Sequence, residues 1–126
     1  VHASPTINRP DGTFGFGYLQ FQASFEDFNS KALSEIKKVQ ESKSLFPPVI
    51  SDNIIHYSSI PWIDFSAISH ARSFSYKDSC PKISFGKMTT KNGKRTMPVS
   101  IHVHHALMDG YHVGLFVDRF QEALDG

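Results

Sequence analysis

The sequence predicts an α+β domain, a two-layer sandwich in which helices cover a mixed or antiparallel sheet. Two segments place apolar residues at steps of three and four, which is typical of amphipathic helices. Several short segments are rich in aromatic and β-branched residues and are bounded by Pro or Gly, which is typical of strands. With 126 residues, 40% of them hydrophobic, residues 1–126 are expected to form one domain with a packed core.

The N-terminal part predicts a loop, a strand and a helix. The first twelve residues contain two prolines and an Asp-Gly pair, which favour a loop. The aromatic-rich segment Phe14 to Ala23 predicts a strand. Ser24, followed by Asp27, predicts the N-cap of a helix. One stripe of that helix is apolar: Phe25, Phe28, Ala32, Ile36 and Val39.

The C-terminal part predicts more strands and a closing helix. The segment "NIIHYSSIPWIDFSAI" is interpreted as two strands separated by a turn or bulge at Pro61. "KISFGKM" and "TMPVSIHVHH" predict two strands that pair antiparallel, because Asn92-Gly93 between them suits a type I′ turn. After Asp109-Gly110 the apolar residues return to helical spacing: Val113, Phe116, Val117, Phe120 and Leu124.

Composition excludes several classes of function. Thirteen Lys and Arg against twelve Asp and Glu leave a net charge of +1, so no net field attracts nucleic acid or an anionic membrane. Apolar runs are far shorter than the ~20 residues that span a bilayer. A single cysteine, Cys80, excludes an intramolecular disulfide and fits a reducing compartment, so a cytoplasmic location is expected.

The segment "VSIHVHHALMDGYHVGLF", from Val99 to Phe116, concentrates the candidate chemistry. If a strand runs from Val99 to His105, side chains alternate, and His105 continues the apolar row of Val99, Ile101 and Val103. His102 and His104 then face the other way. The sequence therefore predicts a buried row that ends on His105, at a strand end where chemistry is commonly mounted.

Metal binding is one interpretation of these histidines, since His102 and His104 at i and i+2 could reach one ion. A metal site would need further ligands than His102 and His104. Ala106 stands where a metallo-hydrolase pattern would have an acid, and Cys80 is isolated in the sequence. No metal is therefore predicted. Ordinary strand histidines, exposed or satisfied by neighbours, remain an alternative for each ring.

Four motifs together point to a family. "HHALMDG", of the form HHxxxDG, occurs with "LFP" at 45–47, "SSIPW" at 58–62 and "ISFGK" at 83–87. From about Phe14 to its end the chain resembles the C-terminal portion of chloramphenicol acetyltransferases. The resemblance implies a CoA-dependent acyltransferase fold, acetyl-CoA as co-substrate, and a homotrimer with sites at subunit interfaces. It also implies acetyl transfer to a hydroxyl of chloramphenicol or a similar acceptor, hence antibiotic resistance, and that the chain is a fragment of a longer one.

The resemblance assigns roles to individual residues. His105 would be the general base, for which an imidazole with a pKa near about 6.5 is suited. Ser58 would donate to the oxyanion and contact the co-substrate, and Lys87 would lie near the CoA phosphates. Ser84 would replace a threonine that holds an active-site water. Simple solvation of Lys87 and an ordinary strand role for Ser84 remain alternatives.

Further residues are assigned a supporting role. Asp109 would form a structural ion pair with an arginine of the N-terminal half, while a backbone carbonyl would fix the tautomer of His105. Gly110 would allow a sharp turn into the closing helix. Phe14 and Phe46 would line the acceptor pocket, although plain core positions are an equal alternative. His104 and His112 are left without a chemical role.

Other functions stay open. Met88, Lys82, Ser69 and His70 depart from the relatives on the acceptor side, so the acceptor is uncertain. The acyltransferase core of 2-oxo acid dehydrogenase complexes shares the HxxxDG motif but uses lipoamide. Nonribosomal peptide condensation domains share HHxxxDG but are much longer. The chain could also be an inactive assembly or binding piece.

Overall fold

A computed structural model of the chain describes residues 1–49, 51–70 and 78–126. The described residues form a mixed sheet, a separate hairpin and two helices, so the predicted α+β class is confirmed. The elements in chain order are β1 His2–Asn8, β2 Phe14–Phe16, α1 Phe25–Glu41, β3 Ile54–Ser59, β4 Lys82–Phe85, β5 Thr89–Lys91, β6 Lys94–Thr96, β7 Val99–His102 and α2 Gly110–Asp125.

The main sheet has the strand order β2-β1-β3-β4-β7. Its three central strands, β1, β3 and β4, run parallel to one another. The edge strands β2 and β7 pair antiparallel with β1 and β4. Helix α1 therefore lies in the connection that returns the chain from the β1–β2 hairpin to the parallel strand β3.

The register gives the sheet one polar and one apolar face. Ser58, Ser84 and Ser100 are direct partners across β3, β4 and β7, and His56, Lys82 and His102 form the next such row. Because cross-strand partners point to the same side, both rows share a face. The opposite face carries apolar residues: Ala3, Pro5, Ile55, Tyr57, Ile83, Phe85, Val99 and Ile101.

Both helices meet the apolar side of the sheet. A Cβ placed on Gly15 would lie 2.9 Å from a methyl carbon of Val39, so β2 approaches α1 closely where glycine stands. The ring of Phe120 on α2 lies 6.1 Å from that of Phe85. Among the described residues, the buried apolar ones are few: Ile7, Ala32, Val39 and Ile83. The core that the described residues form is therefore small.

The first predicted loop is wrong, because residues 2–8 form β1. Pro5 lies inside this strand, and its carbonyl accepts a hydrogen bond from the Gly17 amide. Because proline has no amide hydrogen, Pro5 cannot donate the second hydrogen bond of this pair, and the ladder between β1 and β2 is broken there. The strand predicted from Phe14 to Ala23 consequently ends at Phe16, and only the isolated bridge between Ala3 and Leu19 continues it.

The second strand predicted after Pro61 is also absent from the described part of that segment. The Ile60 amide donates to the Phe85 carbonyl, and the Ile63 amide then donates back to the Ile60 carbonyl. The chain turns at Pro61 instead of extending. The predicted helices are confirmed as α1 and α2, and Ser24 caps α1 by accepting from the Asp27 amide.

The Asn-Gly turn is confirmed. Asn92 and Gly93 both have positive φ, 52° and 75°, as a type I′ turn requires. The turn closes the small hairpin of β5 and β6, which is inserted between β4 and β7. The predicted antiparallel pairing of "KISFGKM" with "TMPVSIHVHH" is confirmed in β4 and β7.

The fold leaves much surface open. The chain exposes 9612 Å², whereas a compact monomer of this size exposes roughly 6,800 Å². No residue of α2 is buried, and its apolar side chains are exposed: Tyr111, Leu115, Val117 and Leu124. Among the described residues, neither helix combines the length and the apolar character needed to cross a membrane.

Candidate active site

Two serine hydroxyls form the centre of the candidate site. Ser58 on β3 stands opposite Ser84 on β4, and their Oγ atoms are 2.7 Å apart. Ser84 is 0% exposed, whereas Ser58 is half-buried and borders a cleft. Because a buried hydroxyl requires a hydrogen-bond partner, the Ser84 side chain holds that of Ser58 in place.

Two histidines extend this polar network. The Nε2 atom of His70 lies 3.5 Å from Ser84 Oγ, and the His70 ring meets that of His102 edge to face at 4.8 Å. His102 Nδ1 lies 3.2 Å from Ser100 Oγ. Sequence reasoning gave neither histidine this place. The alternation of Ser100 and His102 beside the strand of Ser84 could have indicated His102, whereas His70 was noted only as a departure from the relatives on the acceptor side.

The cleft beside Ser58 has a volume of about 430 Å³. Thr6 of β1 lies one step beyond the pair of Pro5 and Tyr57, which places it beside Ser58. The walls come from β1, from the end of β3 and from the segment after it, and include Thr6, Asn8, Ser58, Trp62, Ile68 and His70. The polar face of the sheet therefore carries a concave surface at Ser58.

Aromatic rings adjoin the cleft on the side of β2. Phe16 and Phe14 are the cross-strand partners of Thr6 and Asn8, so they point to the same face as the cleft. The rings of Phe14 and Phe16 are 5.7 Å apart, and those of Phe16 and Phe46 are 5.9 Å apart and stacked. The structure thus brings together Phe14 and Phe46, the two predicted pocket residues, with Phe16 between them.

His105 lies outside the strand that was expected to carry it. Strand β7 ends at His102, so the alternation of side chains between the two faces of the sheet does not extend to His105. The His105 side chain is exposed and does not continue a buried row. Its Nδ1 atom lies 3.3 Å from the Met108 carbonyl oxygen. A carbonyl oxygen only accepts, so this contact places a proton on Nδ1, and in the neutral ring the lone pair is then on Nε2.

The chain does not bring His105 and Ser58 together. Ser100 is the residue in register with Ser84 and, through it, with Ser58. His102 is two residues and two strands away from Ser58, which amounts to about 12 Å between Cα atoms, and His105 lies further along the chain. No hydrogen bond or ring contact joins His105 to Ser58 within the ranges that the structure describes.

Asp109 caps helix α2. Its Oδ1 atom accepts from the His112 amide at 3.3 Å and lies 2.7 Å from His112 Nδ1. The hydrogen bonds from the His112 amide and side chain lower the pKa of the Asp109 carboxyl. Within this chain, His112 is therefore a partner of Asp109, and the ion pair with an arginine stays a prediction.

Gly110 and Lys87 occupy open positions. Gly110 does not have positive φ, and a Cβ on it would meet nothing within 4 Å, so the turn into α2 does not require glycine within this chain. Lys87 follows β4, where its amide donates to the Ile63 carbonyl, and its side chain is exposed. An extended ammonium at the end of a strand can reach an anionic group in solution.

The sequence matches a known protein family over nearly its whole length. The family model described as chloramphenicol acetyltransferase matches residues 3–121. The chain belongs to the chloramphenicol acetyltransferase family. The resemblance predicted from the HHxxxDG motif and its neighbours is confirmed.

Relatives within the chloramphenicol acetyltransferase family are identical to the chain at about a third of the aligned positions. A Bacillus pumilus chloramphenicol acetyltransferase is 36% identical over 120 residues, which cover 94% of this chain and 54% of the relative. A Staphylococcus aureus chloramphenicol acetyltransferase is 33% identical over 119 residues, which cover 94% of this chain and 57% of the relative. The chain therefore spans about half the length of the curated relatives it matches.

Solved structures confirm the chloramphenicol acetyltransferase fold. A chloramphenicol acetyltransferase matches with a TM-score of 0.79 at 22% identity and covers 97% of this chain and 60% of that one. The dihydrolipoamide acetyltransferase of Azotobacter vinelandii matches with a TM-score of 0.69 at 18% identity. The match covers 98% of this chain and 53% of that one. At these identities the likeness concerns the fold alone.

Proposed function

We propose that this chain carries the acyl-transfer groups of an acetyl-CoA-dependent O-acetyltransferase that acts on chloramphenicol or a similar alcohol. The single observation that supports the proposal best is the Ser58–Ser84 hydroxyl pair at the wall of a cleft, in a member of the chloramphenicol acetyltransferase family. The rings of Phe14 and Phe46, which lie beside the cleft, would contact the acceptor.

The proposed reaction begins at His105. Its Nε2 atom takes the proton of the acceptor hydroxyl as the oxygen attacks the thioester carbonyl carbon. The contact of Nδ1 with the Met108 carbonyl supports this role, because in the neutral ring it directs the proton to Nδ1 and the lone pair to Nε2. Collapse of the tetrahedral intermediate breaks the carbon–sulfur bond, and the CoA thiolate recovers the proton from the imidazolium. The products are the acetyl ester and CoA.

Ser58 is the proposed oxyanion donor. If His70 Nε2 donates to Ser84 and the Ser84 hydroxyl donates to Ser58, the Ser58 hydroxyl hydrogen remains available for the oxyanion. A donor oriented before the reaction stabilises the developing charge without reorganisation, and such a donor typically contributes about 3 kcal/mol. The same hydroxyl and the exposed ammonium of Lys87 would contact the co-substrate, Lys87 at its phosphates.

The active site is proposed to form between subunits. Ser58 and His105 lie apart within one chain, so we assign the base to one subunit and the oxyanion donor to its neighbour in a homotrimer. The large exposed surface and the exposed apolar residues of α2 are consistent with packing against further protein. The free thiol of Cys80 suits a reducing location such as the cytoplasm.

A second candidate is an assembly or binding piece without activity. The exposed position of His105 and the sparse packing of α2 favour it, because neither provides a closed site within the chain. The fold alone is also compatible with the acyltransferase core of 2-oxo acid dehydrogenases, for which dihydrolipoamide would replace CoA.

Thiol release distinguishes these candidates. The protein is incubated with acetyl-CoA and chloramphenicol, and free CoA is followed with a thiol reagent, alongside His105→Ala and the control His2→Gln on β1. The proposal predicts release that His105→Ala abolishes and His2→Gln retains. Absence of release from the unmodified protein would support the assembly role, and acetyl transfer to dihydrolipoamide but not to chloramphenicol would support the dehydrogenase type.

A further inference from the structure

Three potential metal ligands meet at the end of the sheet away from Ser58. His56 lies near the start of β3, and Asp78 and Cys80 precede β4. One ring nitrogen of His56, one carboxylate oxygen of Asp78 and Cys80 Sγ all lie within 4.8 Å of one another, and all three residues are half-buried. This group of residues 56, 78 and 80 is separate from the serine pair and from His105.

The backbone holds these ligands in place. The His56 amide donates to the Pro81 carbonyl at 2.9 Å, which ties β3 to the residue after Cys80. The Cys80 amide donates to Asp78 Oδ1 at 3.0 Å, so both ligands belong to one tight turn. Cys80 Sγ lies 3.5 Å from the Asp52 carbonyl oxygen. The ligands therefore stand on two fixed segments, as a preformed site requires.

Their spacing and chemistry fit a borderline-soft divalent ion. Bonds of about 2.0 to 2.3 Å in a tetrahedron place ligand atoms about 3.5 Å apart, so side-chain rotation has to close only about 1 Å. Thiolate, imidazole and carboxylate together select Zn²⁺ or Co²⁺ over Mg²⁺ or Ca²⁺, which prefer oxygen. We propose that His56, Asp78 and Cys80 bind Zn²⁺ with the fourth position open to water.

Lys82 is the competing cation in this structure. Its ammonium pairs with Asp78 Oδ2, and it stands beside His56 in the register of β3 and β4. Binding of Zn²⁺ displaces the ammonium from the carboxylate and converts the Cys80 thiol to a thiolate, with release of one proton to the solvent. Thiolate, carboxylate and Zn²⁺ together carry no net charge, and the displaced Lys82 ammonium would turn to solvent, so that no unbalanced charge stays in the half-buried site.

The site would link two segments of the chain, because His56 belongs to β3 whereas Asp78 and Cys80 precede β4. The ion would fasten the turn of Asp78 and Cys80 to β3, on the face that carries Ser58 two residues further along.

The single thiol provides a direct test. Cys80 is the only cysteine of the sequence, so a thiol reagent reports on it alone. One equivalent of Zn²⁺ is expected to slow modification of the unmodified protein by at least about tenfold, reversibly on addition of a chelator. An unchanged rate would overturn the proposal. This measurement needs no variant and does not depend on acetyl transfer, so it fails independently of the proposed activity.

Variants locate the ion. By calorimetry, His56→Gln and Cys80→Ser should each weaken Zn²⁺ binding at least about tenfold, and Lys82→Met should strengthen it because the competing ammonium is removed. Asp118→Asn and His2→Gln, which change a carboxylate and an imidazole elsewhere, should bind like the unmodified protein. Co²⁺ should give a sulfur-to-metal charge-transfer band that Cys80→Ser lacks. Equal affinity in all variants would place the ion elsewhere and contradict the assignment.

Discussion

The Ser58 hydroxyl lies 2.7 Å from the Ser84 hydroxyl, and only Ser58 borders the cleft. In the proposed reaction, this arrangement makes Ser84 a positioning residue and Ser58 the group that would touch the reacting atoms. The register explains it, since the two residues are direct partners on adjacent parallel strands. The polar face of the sheet is therefore the place where the proposed chemistry can be tested by substitution.

The two serines should differ in their effect on catalysis. Ser58→Ala is expected to lower kcat by about 100- to 1000-fold, because it removes the oxyanion donor. Ser84→Ala removes one orienting hydrogen bond of about 1 kcal/mol and should lower kcat roughly fivefold. Steady-state kinetics measures both, with Ser30→Ala on α1 as the control. A loss for Ser84→Ala as large as that for Ser58→Ala would contradict the division of roles.

Because the core is small, the free energy of unfolding should depend strongly on the Ile83 side chain. Its side chain is 3% exposed in the centre of the sheet, so Ile83→Ala should lower the free energy of unfolding by about 2 to 5 kcal/mol. Urea unfolding measures the change. Ile63, which is 46% exposed, provides the matched control, and Ile63→Ala should cost under about 1 kcal/mol. Equal losses at the two positions would show that Ile83 is not part of the core.

The N-cap of α1 can be tested with a serine pair. Ser24 accepts from the Asp27 amide, so Ser24→Ala should lower the free energy of unfolding by about 1 kcal/mol. Ser30 lies on the exposed side of the same helix, where alanine is a better helix former, so Ser30→Ala should be neutral or slightly stabilising. Denaturant unfolding compares them, and a neutral result for Ser24→Ala would exclude a capping role.

The pKa of Asp109 predicts a pH dependence at the start of α2. The hydrogen bonds from His112 lower this pKa in the folded protein. The contribution of Asp109 to stability is therefore fully present above the unfolded pKa and is lost as the pH falls through the folded pKa. An NMR titration of the His112 amide should show a midpoint below the ordinary range of aspartate, and Asp109→Asn should remove it. A midpoint in the ordinary range would disprove the capping contact.

Local signals predicted the helices and the Asn-Gly turn because each depends on residues close in sequence. The stripe of apolar residues and Ser24 identify α1, and Asn92 and Gly93 adopt the positive φ that only a few residue types accept readily. Strand β1 was missed because Pro5 favours a loop locally. Its missing amide faces β2, where the ladder breaks, while the other side of β1 still pairs with β3.

The site was only partly predictable, because its parts meet through the sheet. The motifs predicted Ser58, Ser84 and His105 as site residues, which stays a prediction, but the contact of the two serines follows from the parallel register of β3 and β4, which no local pattern encodes. His70 reaches Ser84 from a segment outside the strands. The alternation of side chains along a strand predicted a buried position for His105. This position was wrong, because β7 ends before His105 and the chain turns at His104.

The most direct test of a site shared between subunits is complementation of two inactive variants. Ser58→Ala and His105→Ala are mixed in equal amounts, dissociated, reassembled, and assayed with acetyl-CoA and chloramphenicol. If each site takes His105 from one subunit and Ser58 from another, about a quarter of the interfaces regain both groups, and activity should approach about a quarter of that of the unmodified protein. A mixture that stays as inactive as either variant, while the unmodified protein is active, would contradict the shared site.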